Sequence, residues 1–152
     1  MNSFSTVEKL LAKQSYPVIE KKPEHRLEAE VILLEYGVKK DSGFFKLYTK
    51  YFLSALDHRY GASEIVDPLP TRSFIPRVKF AHEVWGVPKN YILFSTGEGE
   101  GGYLYNIEDD SVWDFNMGQL QPLADGTLPH WDSFYEFMIW YLSDEEDAWR
   151  PS

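Results

Sequence analysis

Apolar and polar residues change rhythm twice along this chain. Apolar positions recur at helical spacing from residue 5 to about 61, alternate between 91 and 116, and return to helical spacing from 131 to 142. Ser5-Thr6-Val7-Glu8 has the form of a capping box and predicts a short helix through Leu10, Leu11 and Ala12, broken at Tyr16-Pro17. Pro23 predicts the start of a second helix in which Leu27, Val31 and Leu34 lie on one face, flanked by Ala29, Ile32 and Leu33, with Gly37 as its stop. Asp41 or Ser42 caps a third helix. Phe44, Phe45, Tyr48, Tyr51, Phe52, Ala55 and Leu56 fall at helical spacing in it, with Phe52 a core aromatic and Gly61 the end.

Ile65-Val66 suits a short strand before the turn-rich residues 67–70. Residues 73–85 read as a helix entered through Pro76 and closed by Gly86, with an alternating strand over 77–81 as the alternative. Strands follow at roughly 91–95, 102–107 and 111–116, separated by the Gly/Glu run 97–102 and by an acidic turn at Glu108, Asp109 and Asp110. Residues 119–129 read as loop, with room for a short strand. Ser133 and Glu136 form a second capping box, opening a helix that buries Phe134, Phe137, Met138, Tyr141 and Leu142. Helices, then strands, then a helix predict an α+β fold, with N-terminal and C-terminal helices packed on a mainly antiparallel sheet.

Composition narrows the class. A chain of 152 residues suits one domain, which at this size buries roughly 70% of its unfolded surface. We expect a single domain over 1–152, with an acidic tail over 143–152. No apolar run approaches the ~18–20 residues of a membrane span. The N-terminal stretch has no basic region followed by an apolar core, so the expected location is cytoplasmic. With 0 Cys, thiolate zinc sites, disulfides and a Cys nucleophile are excluded.

Charge is unevenly placed. Residues 1–80 carry 13 Lys or Arg against 10 Asp or Glu, whereas residues 81–152 carry 2 against 14. Such a field repels nucleic acid and anionic lipid and attracts a basic partner. Gly97-Glu98-Gly99-Glu100-Gly101-Gly102 matches the form G-x-G-x-x-G, but Tyr103-Leu104-Tyr105 continues as strand where a dinucleotide site needs a helix, and two Glu would repel phosphate. His25, His58, His82 and His130 lack metal-site spacing, and neither Asp109-Asp110 nor 144–147 has the oxygen offsets of a calcium loop. No cofactor, metal or catalytic residue is expected. Trp113 and Trp149 sit beside acidic residues and suit either interface anchors or a rim of the core.

The order of these features resembles the SUKH superfamily, the Smi–Knr-type domain. The likeness lies in the helix ending at Tyr36-Gly37-Val38, the aromatic helix over Phe44–Tyr51, and Ile92-Leu93-Phe94 with the glycine loop. It extends through Gly102–Asn106 and Ser111-Val112-Trp113 to a closing helix at Trp131-Asp132-Ser133-Phe134. It covers roughly 24–142. The chain departs from the pattern at Lys39–Gly43, where many members have Leu-Pro, and in a longer stretch from Arg72 to Pro88.

The resemblance implies a non-enzymatic bacterial immunity protein that binds and silences a cognate toxin, commonly a nuclease. Fungal relatives are regulators linked to cell-wall synthesis. An acidic inhibitor would be steered to the basic groove of a nuclease, which raises association rates by about 10–10³-fold at low ionic strength. The expected contact region is Glu98, Glu100, Glu108, Asp109, Asp110 and Asp114, with Trp113 as anchor. A scaffold for another host protein, and a hydrolase built on a carboxylate pair, are the alternatives.

Overall fold

The computed structural model describes residues 3–96 and 101–143. In chain order these residues form α1 (Phe4–Leu11), α2 (Pro23–Glu35), α3 (Gly43–Lys50), α4 (Thr71–Glu83), β1 (Tyr91–Leu93), β2 (Gly101–Asn106), β3 (Val112–Asn116), α5 (Leu120–Asp125), β4 (His130–Trp131) and α6 (Phe134–Leu142). The strands make one antiparallel sheet in the order β1-β2-β3-β4. The fold is α+β, as the alternating and helical stretches predict. Ile65 adds a single bridge to Ser95 beyond the end of β1, where a short strand was expected.

Side-chain alternation on the strands creates two cores. Ile92, Tyr103, Tyr105, Val112 and Trp131 enter the larger one, with the buried faces of α1, α2, α3 and α6. Tyr91, Leu93, Leu104, Trp113 and Phe115 enter the smaller one, with Ala81 of α4, Trp85 and Leu123 of α5. All six residues of β2 are therefore buried. Aromatic packing fills the larger core: Phe44 stacks on Tyr105 at 4.0 Å and meets Phe134 edge-on at 4.9 Å.

Three expectations change, and the rotation of α2 is decided. α1 is capped by Ser3, whose hydroxyl accepts from the Thr6 amide at 3.3 Å. Glu8 is not part of a capping box, because its carboxylate accepts from Lys50 Nζ and from the Tyr51 hydroxyl. In α2 the buried residues are Ala29, Ile32 and Leu33, while Leu27, Val31 and Leu34 face outward. The sequence offers α2 two apolar faces. Its rotation follows from neighbours on the buried side: Lys21 is held immediately before the helix, and Arg26 Nε donates to the Thr49 carbonyl at 3.3 Å.

α3 stops at Lys50 instead of running to Leu56. A helix continuing past Lys50 would bond the Tyr48 carbonyl to the Phe52 amide and the Tyr51 carbonyl to the Ala55 amide. Lys21 Nζ takes both carbonyls, at 2.7 Å each, and the Phe52 amide donates to Ile19 O at 2.9 Å. An ammonium from another segment thus ends the helix, and Phe52 sits half-buried over Lys21 Nζ at 4.5 Å. The third change is α5, a short helix in the stretch expected to be loop. The helical reading of 73–85 holds, with α4 beginning at Thr71.

Candidate functional site

The turn from β2 to β3 is tightly organised. Asn106 Oδ1 accepts from the Glu108 amide at 3.0 Å, and the Asp110 amide donates to the Asn106 carbonyl at 3.0 Å. Asp110 has φ of 66°, a left-handed geometry that Asp adopts more readily than most residues. Asp109 Oδ1 accepts from the Ser111 amide at 3.1 Å and from its hydroxyl, and Ser111 Oγ accepts from Trp113 Nε1 at 2.8 Å. These local bonds hold the Glu108 and Asp109 side chains at the surface.

Asp110 points inward. Its Oδ1 accepts from the Tyr105 hydroxyl at 2.6 Å and from the Phe44 amide at 3.4 Å, and its Oδ2 from the Phe134 amide at 3.4 Å. Phe44 and Phe134 lie in the first turns of α3 and α6, which are also capped by Ser42 and Ser133 at 3.1 Å each. One carboxylate thus serves unpaired amides at two helix N-termini, where the helix dipoles favour negative charge. Burial pushes the Asp110 carboxyl above the usual range, against the pull of the Tyr105 hydroxyl and those amides. The Tyr105 hydroxyl is pushed up by burial and by Asp110.

This convergence brings distant charges together. Ser42 and Ser133 carry Asp41 and Asp132 with them, and both are exposed, so the segments bearing Asp41, Glu108, Asp109 and Asp132 meet at Asp110. Lys39 joins the group by donating from Nζ to the Glu108 carbonyl at 3.0 Å. Asp132 also lies 3.4 Å from His130 Nε2. The arrangement offers solvated carboxylate acceptors to ammonium and guanidinium groups. Asp41 and Asp132 escaped the sequence reading because each looks like an ordinary residue beside a helix cap. Their link to Glu108 is tertiary.

The other expected contact residues separate. Trp113 is 6% exposed and belongs to the smaller core, stacked on the His130 ring at 3.9 Å. It is not a surface anchor, because the β3 alternation turns it inward and its indole nitrogen is taken by Ser111. Asp110 is a capping residue rather than a partner-facing one. Asp114 is half-buried and lines a cleft of about 300 Å³ with Tyr60, Ser63, Gly101, Asn116 and Trp140. It stands opposite Tyr103, four residues along β3 from the turn. Position 101 in this lining has no room for a side chain, because an added Cβ would run into Asn116 Oδ1 and lie 2.7 Å from the Phe115 carbonyl. Glu98, Glu100, Trp149 and the tail from 144 onward lie outside the described residues.

A second polar site had no sequence signal. Lys21 and Asp67 form an ion pair at 2.8 Å with both side chains buried. Asp67 also accepts from the Leu53 amide at 2.7 Å and the Leu69 amide at 3.0 Å. Burial pushes the Asp67 carboxyl up and the Lys21 amine down, and their mutual attraction opposes both shifts. With four backbone groups satisfied and both side chains buried, this pair ties α3 to the segments on either side. Among the described residues no group of three or more His, Cys, Asp or Glu is placed to hold a metal ion, and no helix is long and apolar enough to cross a membrane. No family model matches the chain, and neither a curated protein nor a solved structure matches it.

Proposed function

We propose that this chain is a non-enzymatic protein-binding domain of the SUKH type, an immunity protein that neutralises a basic toxin through an acidic surface. The observation that carries the reading is the turn anchored by Asp110, around which Asp41, Glu108, Asp109 and Asp132 are exposed on three chain segments beside Lys39 and Lys40. A partner that meets a turn whose backbone is already hydrogen-bonded in place loses less conformational entropy than one that must order a loop. Long-range attraction between this end and a cationic groove speeds encounter, and the effect weakens as salt rises. A nuclease, whose substrate groove is basic, has the matching chemistry. Asp114 and the Glu98–Glu100 segment extend the negative charge along the sequence. Trp113 and Asp110 support the surface from beneath it.

The test begins with co-purification from the native host and identification of the bound protein by mass spectrometry. A cationic partner is expected, and its activity should fall when the chain is added. Changing Glu108, Asp109 and Asp132 to Lys should then slow association strongly at low ionic strength and less at high. Equal association rates for the triple variant and the parent chain at both ionic strengths would refute the electrostatic surface.

A further inference from the structure

α2 is apolar on two sides, and one of them is unpartnered. Ala29, Ile32 and Leu33 are buried, whereas Leu27, Val31 and Leu34 are 62%, 57% and 42% exposed. Residues at i, i+4 and i+7 stack along one helix face, so these three form a ridge roughly 10 Å long. Single exposed aliphatic residues are ordinary, but a contiguous ridge of three marks an interaction surface.

Charge identifies the occupant. At about 100° per residue, Glu24, Glu28 and Glu35 fall in a row along one side of the ridge, all exposed, and Glu30 lies on the other side. Arg26, the lone Lys or Arg within α2, points away and donates to the Thr49 carbonyl at 3.3 Å. Apolar residues bordered by carboxylates match a helix that carries apolar residues at the same spacing with Lys or Arg beside them. A second copy of this chain fits badly. An antiparallel two-fold pairing sets the two Glu rows on the same side of the contact, and a parallel pairing sets each row against Glu30. Like charges meet either way, and the cost opposes dimerisation. Anionic lipid is repelled for the same reason.

We infer that the exposed face of α2 docks a basic amphipathic helix of another protein, with Leu27, Val31 and Leu34 as anchors and Glu24, Glu28 and Glu35 as charge partners. The inference does not depend on the acidic end around Asp110, which is a different surface on different elements.

A synthetic Leu/Lys peptide patterned as an amphipathic helix is the probe, titrated with the whole chain and read by fluorescence anisotropy. A peptide of the same composition in scrambled order is the control. The patterned peptide is expected to bind more tightly than the scrambled one. Changing Leu27, Val31 and Leu34 to Ser should weaken it by more than about tenfold, with a smaller loss of thermal stability than a core substitution because these side chains are about half exposed. Changing Glu24, Glu28 and Glu35 to Gln should weaken binding and flatten its salt dependence, a readout that does not rely on the Ser variant folding. Changing Glu108 and Asp109 to Lys should leave peptide affinity unchanged. Equal binding of both peptides, indifference to the Ser and Gln variants, or loss with the Lys variant instead would overturn the assignment. So would a parent chain that sediments as a dimer and becomes monomeric on the Ser changes, since the occupant would then be a second copy.

Discussion

Lys21–Asp67 and the Asp110 turn both place charge against backbone, yet they do so for opposite ends. The first is sealed on every side and spends its hydrogen bonds inward, on Tyr48 O, Tyr51 O, Leu53 N and Leu69 N. The second splits its labour between adjacent residues: Asp110 bonds inward to two helices, while Glu108 and Asp109 stay in water. A buried pair gains little net energy from its own attraction, because desolvation opposes it. Its value here is geometric, in ending α3 and fixing the entry to α2. The turn keeps most of its charge solvated and available, which is what the proposed recognition of a cationic surface requires.

The strongest way to break this contrast is to orphan one partner of the buried pair. Asp67→Ala should destabilise the fold by about 3–5 kcal/mol, measured by urea denaturation, since it leaves Lys21 unpaired in a dry site. Lys21→Met with Asp67→Leu should not recover the parent stability. The double change removes the unpaired charge but still strands four backbone groups. Full recovery would show that the pair has no role in holding α3 and its flanks.

Asp110→Ala should cost about 2 kcal/mol, because two helix amides and the Tyr105 hydroxyl lose a shared acceptor. An effect as small as that of a surface substitution would remove Asp110 from the structural half of the comparison. Phe52→Ala should cost about 1–2 kcal/mol, below the 3–5 kcal/mol of a fully buried aromatic, because the ring is half-buried over Lys21. Asp109→Asn keeps the acceptor for Ser111 and should change stability by less than about 0.5 kcal/mol, while still reducing attraction for a basic partner.

Acid titration sharpens the contrast further. Asp110 holds its proton to higher pH in the folded chain than in the unfolded one, since burial raises its carboxyl. The folded state therefore binds more protons in that interval. Relative to Asp110→Asn, the parent should gain stability as pH falls through the folded value towards ~3.9, and then level off. Glu8 behaves oppositely. The hydrogen bond from Lys50, followed by that from Tyr51, lowers its carboxyl, so its contribution is present above its ordinary value of 4.5 and is lost as pH falls through the lowered one. Thermal midpoints of the parent, Asp110→Asn and Glu8→Gln across the acid range should separate these two slopes.

The α+β class, the strand meander and the positions of α4 and α6 follow from local pattern, because period-2 and period-3.6 spacing of apolar residues reports which way each side chain can face. The same local logic located the acidic turn, with Glu108 and Asp109 at its surface. It could not tell Asp110 from Asp109, since neighbouring carboxylates differ only in which distant amides they meet. It left Trp113 between surface anchor and core rim, because acidic neighbours along the chain say nothing about the sheet face that β3 turns towards Trp85 and Leu123. Two apolar faces on α2 left its rotation undetermined. Lys21 looked like any surface lysine until Asp67, from a turn 46 residues away, drew it into the interior. Local spacing thus determined the elements. Tertiary contact decided where α3 ended, which face of α2 met water and which carboxylates were free, because those outcomes depend on partners that sequence spacing does not encode.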